Sequence, residues 1–236
     1  MRRTRRKRLK RSGLRSIAKY FSIPFAVAFV LSNLQVLTLR FFNPPCTSYM
    51  IWQNMHRDKT KTRPKYLAHW CALSDISPHL RKAVLAGEDQ RFLYHHGFDV
   101  KELEGAIKDL AHKKAKRGAS TITMQVARTV YLWPGRSWIR KIIEAYYTIL
   151  IELYWSKKRI LEVYLNTVDW GPGIVGAEAA ARRYYHISCK NISKAQAAAL
   201  AAILPSPHRW SPVRPNKHVY KRKMRILRDM DKMPLL

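Results

Sequence analysis

At 236 residues the chain has room for one sizeable core or, at most, two small domains. It carries 45 Lys+Arg against 15 Asp+Glu, a net charge of +30, so its partner is anionic: nucleic acid, phospholipid or a phosphorylated substrate. The position of the charge narrows that choice. Residues 1–20 hold ten basic residues and no acid. The next nineteen, Phe21 to Leu39, are uncharged and mostly Phe, Ile, Val, Leu and Ala. At a rise of ~1.5 Å per residue they reach roughly 28 Å, about the thickness of a bilayer's hydrocarbon core.

This run exceeds the ~7–15-residue apolar core of a signal peptide. The following Leu37-Thr-Leu-Arg-Phe-Phe42 has no small-residue cleavage site. The reading is a single-pass anchor at 21–39 behind a basic tail at 1–20, although Pro24, Asn33 and Gln35 weaken the span. The positive-inside rule places the tail in the cytoplasm and residues 41–236 outside it. Of the net +30, +20 then lies beyond the span, in residues 40–236. Anionic lipid headgroups or a pyrophosphate-bearing substrate suit that side better than nucleic acid.

Residues 40–75 form a juxtamembrane segment. Within it, Tyr49-Met-Ile-Trp-Gln-Asn-Met55 is either interfacial or folded onto the core. From residue 76 to 236 the pattern is helical almost throughout. Ser77-Pro78 opens a helix, with Ser77 as cap and Pro78 at the first position. Asp99 caps a second helix running to about His112. Lys113–Arg117 is a basic stretch without apolar periodicity, expected to be mobile. Ser120 or Thr121 caps the next helix, which Pro134-Gly135 breaks. A long helix is predicted from Ser137 to Trp155, with Ile139, Ile142, Ile143, Tyr146, Leu150 and Leu153 as its apolar stripe. Further helices are expected at 156–166, 174–185, 192–203 and 215–231, the last strongly basic. No strand pattern is evident, so the class is mainly α. Cys46, Cys71 and Cys189 show no metal-ligand spacing. A Cys71–Cys189 disulfide and three free thiols both remain open.

Three clusters carry chemistry. Glu88-Asp89 with Arg91 and His95-His96 is either an acid–base site or a set of surface charges and structural histidines. Thr121, Thr123 and Gln125 lie near a helix N-terminus, whose free N–H groups attract anions, with Arg128 further along. The plainer alternative is ordinary Ser/Thr capping. Arg140 and Glu144, one turn apart, are either an exposed i,i+4 pair or part of a cleft wall, since Tyr147 and Ile151 share their side.

In order and spacing, these clusters closely resemble the monofunctional biosynthetic peptidoglycan transglycosylases, whose catalytic domain also occurs in bifunctional penicillin-binding proteins. The first family motif is met by Glu88, Asp89, Phe92, His95 and Gly97. The second appears as Gly118-Ala-Ser-Thr-Ile-Thr-Met-Gln-Val-Ala-Arg-Thr129, and the third as Arg140, Lys141 and Glu144. The fourth is Lys157, Ile160, Leu161, Glu162, Tyr164, Leu165 and Asn166, and a fifth surrounds Gly176 to Tyr185. The only Ser-x-x-Lys is Ser16–Lys19 and there is no Lys-Thr-Gly, so this sequence carries no transpeptidase signature.

The resemblance implies a lysozyme-like α domain that polymerises lipid II into glycan strands. Glu88 would be the general base that deprotonates the GlcNAc 4-OH of lipid II as it attacks the MurNAc C1 of the lipid-linked chain. Glu144 would assist the donor side. Thr121, Gln125, Arg128, Arg140 and Lys141 would hold the pyrophosphate. Asp89, Phe92, His95, Ser120 and Asn166 would support them, and the Lys113–Arg117 stretch would close over the substrate. No cofactor is required, with a divalent cation (Mg or Mn) at Glu144 left open. The implied partners are lipid II, the growing glycan, anionic membrane lipids and other wall-synthesis or division proteins. The implied location is a bacterial inner membrane with a periplasmic domain. Met124, Arg128 and Thr129 depart from the second motif, which puts activity in question more than fold. The alternatives are a catalytically impaired scaffold and a hydrolase of the same polymer.

Overall fold

The computed structural model describes residues 23–55, 69–111, 120–135 and 137–236. The basic tail, Phe21, Ser22, the Lys113–Arg117 stretch and the first two residues of the second motif lie outside these. The chain divides into two compact units, residues 1–42 and 43–236.

In the first unit, α1 (Ile23–Phe41) is long and apolar enough to cross a membrane. Three of its polar side chains bond to its own backbone. Asn33 Nδ2 donates to Phe29 O at 2.7 Å, Ser32 Oγ to the same carbonyl at 2.8 Å, and Thr38 Oγ1 to Leu34 O at 2.8 Å. A polar side chain bonded back to the preceding turn exposes little unsatisfied capacity, so these residues do not disqualify the span.

The second unit is helical, and each helix start has a chemical cause. Ser77 accepts from His79 N and Pro78 occupies the first position of α3 (Pro78–Glu88). Asp99 Oδ1 accepts from Lys101 N and Glu102 N at the start of α4 (Val100–Ala111). Thr121, rather than Ser120, caps α5 (Ile122–Tyr131) by accepting from Met124 N. Ser137 and Ser156 cap α6 (Trp138–Tyr154) and α7 (Lys157–Thr167) in the same way. These side chains satisfy donors that the first helical turn leaves unpaired.

A short antiparallel hairpin follows, β1 (Asp169–Gly171) with β2 (Ile174–Val175). It corrects two expectations, that no strand is present and that a helix begins at 174. Residues 171–176 supply the reason. Gly171, Gly173 and Gly176 all have positive φ, which bends the chain into a turn and delays α8 (Ala177–Tyr185). The chain continues through α9 (Lys194–Ile203) to α10 (Lys217–Asp229).

The core is built around α9. Ala197 to Ile203 are all buried, and the helix packs on both α3 and α10. A helix apolar on every side belongs inside, and its alanines let neighbouring helices approach closely. α5 packs against α2 (Ser48–Met55), α6 and α7. Ser48 Oγ donates to Val130 O at 2.9 Å and Tyr49 OH to Asp169 Oδ2 at 3.2 Å, so the Tyr49–Met55 stretch is helical and folded onto the domain.

The long helix α6 is oriented differently from its predicted stripe. Ile139, Ile142 and Leu153 are each 68–69% exposed, whereas Glu144, Thr148 and Ile151 are buried together with Leu150. Tyr147 stacks on Tyr131 of α5 with ring centroids 4.4 Å apart. The side that packs inward is therefore the one with the polar groups, because those groups have partners inside.

Candidate active site

Glu88 is the last residue of α3, and its side chain is only 13% exposed. Its Oε2 accepts from Gln125 Nε2 at 3.0 Å and its Oε1 from Arg222 Nη2 at 2.8 Å. Arg222 Nη2 also donates to Gly87 O at 2.8 Å, which fixes the guanidinium against the end of α3. Tyr164 OH donates to Gln125 Oε1 at 3.2 Å, so the amide nitrogen of Gln125 is the atom that faces Glu88. Burial pushes the Glu88 carboxyl above its ordinary range, against the pull of Arg222, Gln125 and Arg128. Burial also holds the Tyr164 hydroxyl well above the ordinary phenol range, so it stays a donor.

The residues after Glu88 lock this geometry. Asp89 Oδ2 accepts from Ile122 N at 3.0 Å, which joins the end of α3 to the start of α5. His95 Nε2 lies 2.9 and 3.0 Å from the two Asp89 oxygens and bonds the same carboxylate. Thr121 Oγ1 donates to Gly97 O at 2.6 Å. Lys157 Nζ donates to His95 O at 2.7 Å, pairs with Glu152 at 2.8 Å and sits 4.5 Å from the ring centroid of buried Phe92. Gly97 has φ +89, and a Cβ there would meet Thr148 Cγ2 at 2.7 Å. Only glycine lets this loop lie against α6.

Thr148 connects to the second cluster. Its Oγ1 donates to Glu144 O at 2.7 Å, one turn earlier on α6. Glu144 is 1% exposed, and each of its oxygens is taken. Arg140 Nη1 donates to Oε2 at 3.1 Å, and Lys141 Nζ lies 2.5 Å from Oε1. The exposed i,i+4 pair is thereby excluded, since the glutamate is buried. A divalent cation does not fit this donor set either, because two like charges already occupy the only carboxylate.

The sequence-selected residues thus fall into two constellations. Glu88, Asp89, His95, Thr121 and Gln125 are joined by hydrogen bonds on and around α3 and α5, and Arg140, Lys141 and Glu144 form an ion triad on α6. Arg128 is exposed and acts on Glu88 through its charge. Met124, one of the departures from the motif, is 9% exposed and lines the core. The side chain of Asn166 works elsewhere, gripping Cys71 N and Cys71 O at 2.8 and 2.9 Å and Glu162 O at 2.8 Å.

Two participants were not anticipated, Arg222 and the role of Tyr164. Arg222 had a legible signal. Val219, Ile226 and Met230 are the buried residues of the α10 region, and position 222 falls on their helical stripe. A cation on an apolar stripe marks a partly shielded charge with a partner.

The scaffold holds one carboxylate desolvated beside a guanidinium and a second between two cations. Comparison with known proteins specifies the family. The sequence profile of the family described as Transglycosylase matches residues 56–231. The chain belongs to the transglycosylase family. A protein of Bacteroides thetaiotaomicron named biosynthetic peptidoglycan transglycosylase is 41% identical over 94% of this chain and 89% of its own length. Proteins of the same name from Pseudomonas entomophila and Bdellovibrio bacteriovorus are 46% and 43% identical. They cover 84% and 92% of this chain, and 84% and 87% of their own lengths, respectively.

Proposed function

We propose that this chain is a peptidoglycan glycan-strand polymerase of cell-wall synthesis, with Glu88 as its general base. The observation that carries the assignment is the state of Glu88. Each of its oxygens accepts a single protein hydrogen bond, from Arg222 or Gln125, which leaves a lone pair for an incoming hydroxyl. Burial brings the carboxyl closer to neutral pH, where a base is most effective.

In this reading Glu88 removes the proton of the GlcNAc 4-OH of lipid II. That oxygen attacks MurNAc C1 of the lipid-linked strand from the face opposite the pyrophosphate. The C1–O bond breaks, the configuration inverts and undecaprenyl diphosphate departs. Arg140, Lys141 and Arg128 offset the charge that develops on the leaving group, while Glu144 holds Arg140 and Lys141 in place. Asp89, His95 and Thr121 fix the loop that follows Glu88. α1 is the membrane anchor, and the domain works on the outer face of the inner membrane, where the lipid-linked glycan presents its sugars.

Polymerisation of labelled lipid II by the detergent-solubilised chain, beside Glu88→Gln, tests the reading. A ladder of longer glycans from wild type that is absent from the variant supports it. A ladder that survives in Glu88→Gln removes Glu88 from its role. Shortened glycans from a preformed polymer would favour a hydrolase, and a folded chain that makes no ladder would favour a scaffold.

A further inference from the structure

Cys71 and Cys189 are 118 positions apart in sequence, yet their Sγ atoms lie 3.2 Å from each other. Independent clamps bring them there. The backbone N and O of Cys71 are both held by Asn166. Cys189 N donates to Glu178 Oε2 at 2.7 Å, and Cys189 O accepts from Ser77 N at 3.1 Å. Two backbones fixed separately, with sulfurs in contact, are preorganised for one reaction. We infer that Cys71 and Cys189 are joined by a disulfide in the mature protein, fastening the segment that leads into α3 to the turn between α8 and α9.

A metal centre fits these atoms less well. Two thiolates on a tetrahedral zinc, at about 2.3 Å each, stand about 3.8 Å apart, further than the sulfurs here. The neighbouring carboxylate, Glu178, already accepts from Arg182 Nε at 2.7 Å and from Cys189 N. The disulfide needs no third ligand. Each thiol gives up its proton, one S–S bond forms, and the two electrons pass to the disulfide of a dithiol oxidase, which leaves as a dithiol. Burial raises both thiols above the ordinary range, so the thiolate needed for exchange is scarce in the folded domain. The bond therefore forms as the domain folds and resists reduction afterwards. The inference rests on the proposed placement of the domain outside the cytoplasm, where such oxidases act.

Exposed Cys46 serves as an internal control. Membranes containing the full chain are quenched in acid and labelled with a maleimide before and after reduction. One label before reduction and three after, with a Cys71–Cys189 peptide in the non-reduced digest, is the expected result. Reduction should also lower the melting temperature by about 10 °C, as expected for a bond that closes a loop of this size. Three labels before reduction overturn the inference, as does a bridge that includes Cys46. So does one equivalent of zinc that protects both thiols. Polymerase assays on the same membranes keep a failure of this bond distinct from a failure of the proposed activity. A chain that is unfolded, reduced and then refolded in glutathione disulfide without closing the pair would count against the geometry itself.

Discussion

Glu88 and Glu144 are both shielded glutamates, and their surroundings are opposite. Glu144 is closed off by burial and charge, since it is 1% exposed and a cation is paired with each oxygen. Glu88 is held by one guanidinium and one amide, and burial works against its charge. The first arrangement suits a fixed charge that holds cations in position. The second suits a group that must take up a proton and give it back. On the proposed reading, two identical side chains thus receive different duties from the helices that carry them. α6 supplies its own cations within one turn, whereas α3 ends at Glu88 and must borrow partners from α5 and α10.

The largest expected effect comes from deleting the proposed base. Glu88→Gln should lower the polymerisation rate by about 10²–10⁴-fold. The same variant should be more stable than wild type at alkaline pH. The folded chain holds the Glu88 proton more tightly than the unfolded chain does. That contribution favours folding below the ordinary glutamate range and is lost as pH rises through the raised value. Glu88→Gln escapes the loss, so its advantage in melting temperature should be greatest near pH 8 and vanish near pH 4. A less stable variant at pH 8 would contradict the picture of a strained base.

Next comes Arg222. Arg222→Ala removes a charged hydrogen bond worth about 1.5–3 kcal/mol, which corresponds to a rate loss of roughly 10–100-fold at neutral pH. Arg222 pulls the Glu88 carboxyl down against burial, so its removal should move the acidic limb of the kcat/KM profile to higher pH. Arg222→Lys should restore much of that limb. A flat fall in rate at every pH would make Arg222 a packing residue instead.

Much of this arrangement is readable from the chain, but unevenly. Helix starts are local events decided by one hydroxyl or carboxylate, so Ser77, Asp99, Thr121 and Ser137 announce themselves. The motif residues are short-range too, and Glu88, Asp89 and His95 fall together because one loop carries them. The facing of α6 is less accessible. Periodicity marks its most apolar side and says nothing of what will cover it, and the covered side proves to be that of Glu144 and Thr148. Arg222 lies 134 positions from Glu88, among many cations of α10. Its inward facing is visible only when the stripe of Val219, Ile226 and Met230 is drawn through it.

The other glutamate responds differently. Arg140→Ala leaves Glu144 with Lys141 alone in a buried place, at a cost to stability of about 1.5–3 kcal/mol. Activity should fall through a higher KM for the lipid-linked donor, since the proposed pyrophosphate contact is lost before chemistry begins. Glu144→Gln should spare more stability than Arg140→Ala does, because an amide oxygen still accepts from the guanidinium. Equal pH profiles for wild type and Glu144→Gln would sharpen the contrast, with the proton-carrying role left to Glu88 alone.

The smallest effect belongs to Arg128, the position where the second motif has exchanged a lysine for an arginine. The side chain is exposed and reaches Glu88 only through its charge. Charge is what Arg128→Lys preserves, so the acidic limb should stay where it is and the rate change by no more than a few-fold. What the exchange alters is shape, since a flat fork can grip an anion in two places and a compact ammonium in one. Any change should therefore fall on KM for the pyrophosphate-bearing substrate and grow weaker as salt is raised. Arg128→Ala removes the charge as well, and should add a small upward shift of the limb in the direction of Arg222→Ala. If Arg128→Lys moves the limb as far as Arg128→Ala does, the guanidinium touches the base directly and the reading of a purely electrostatic neighbour fails.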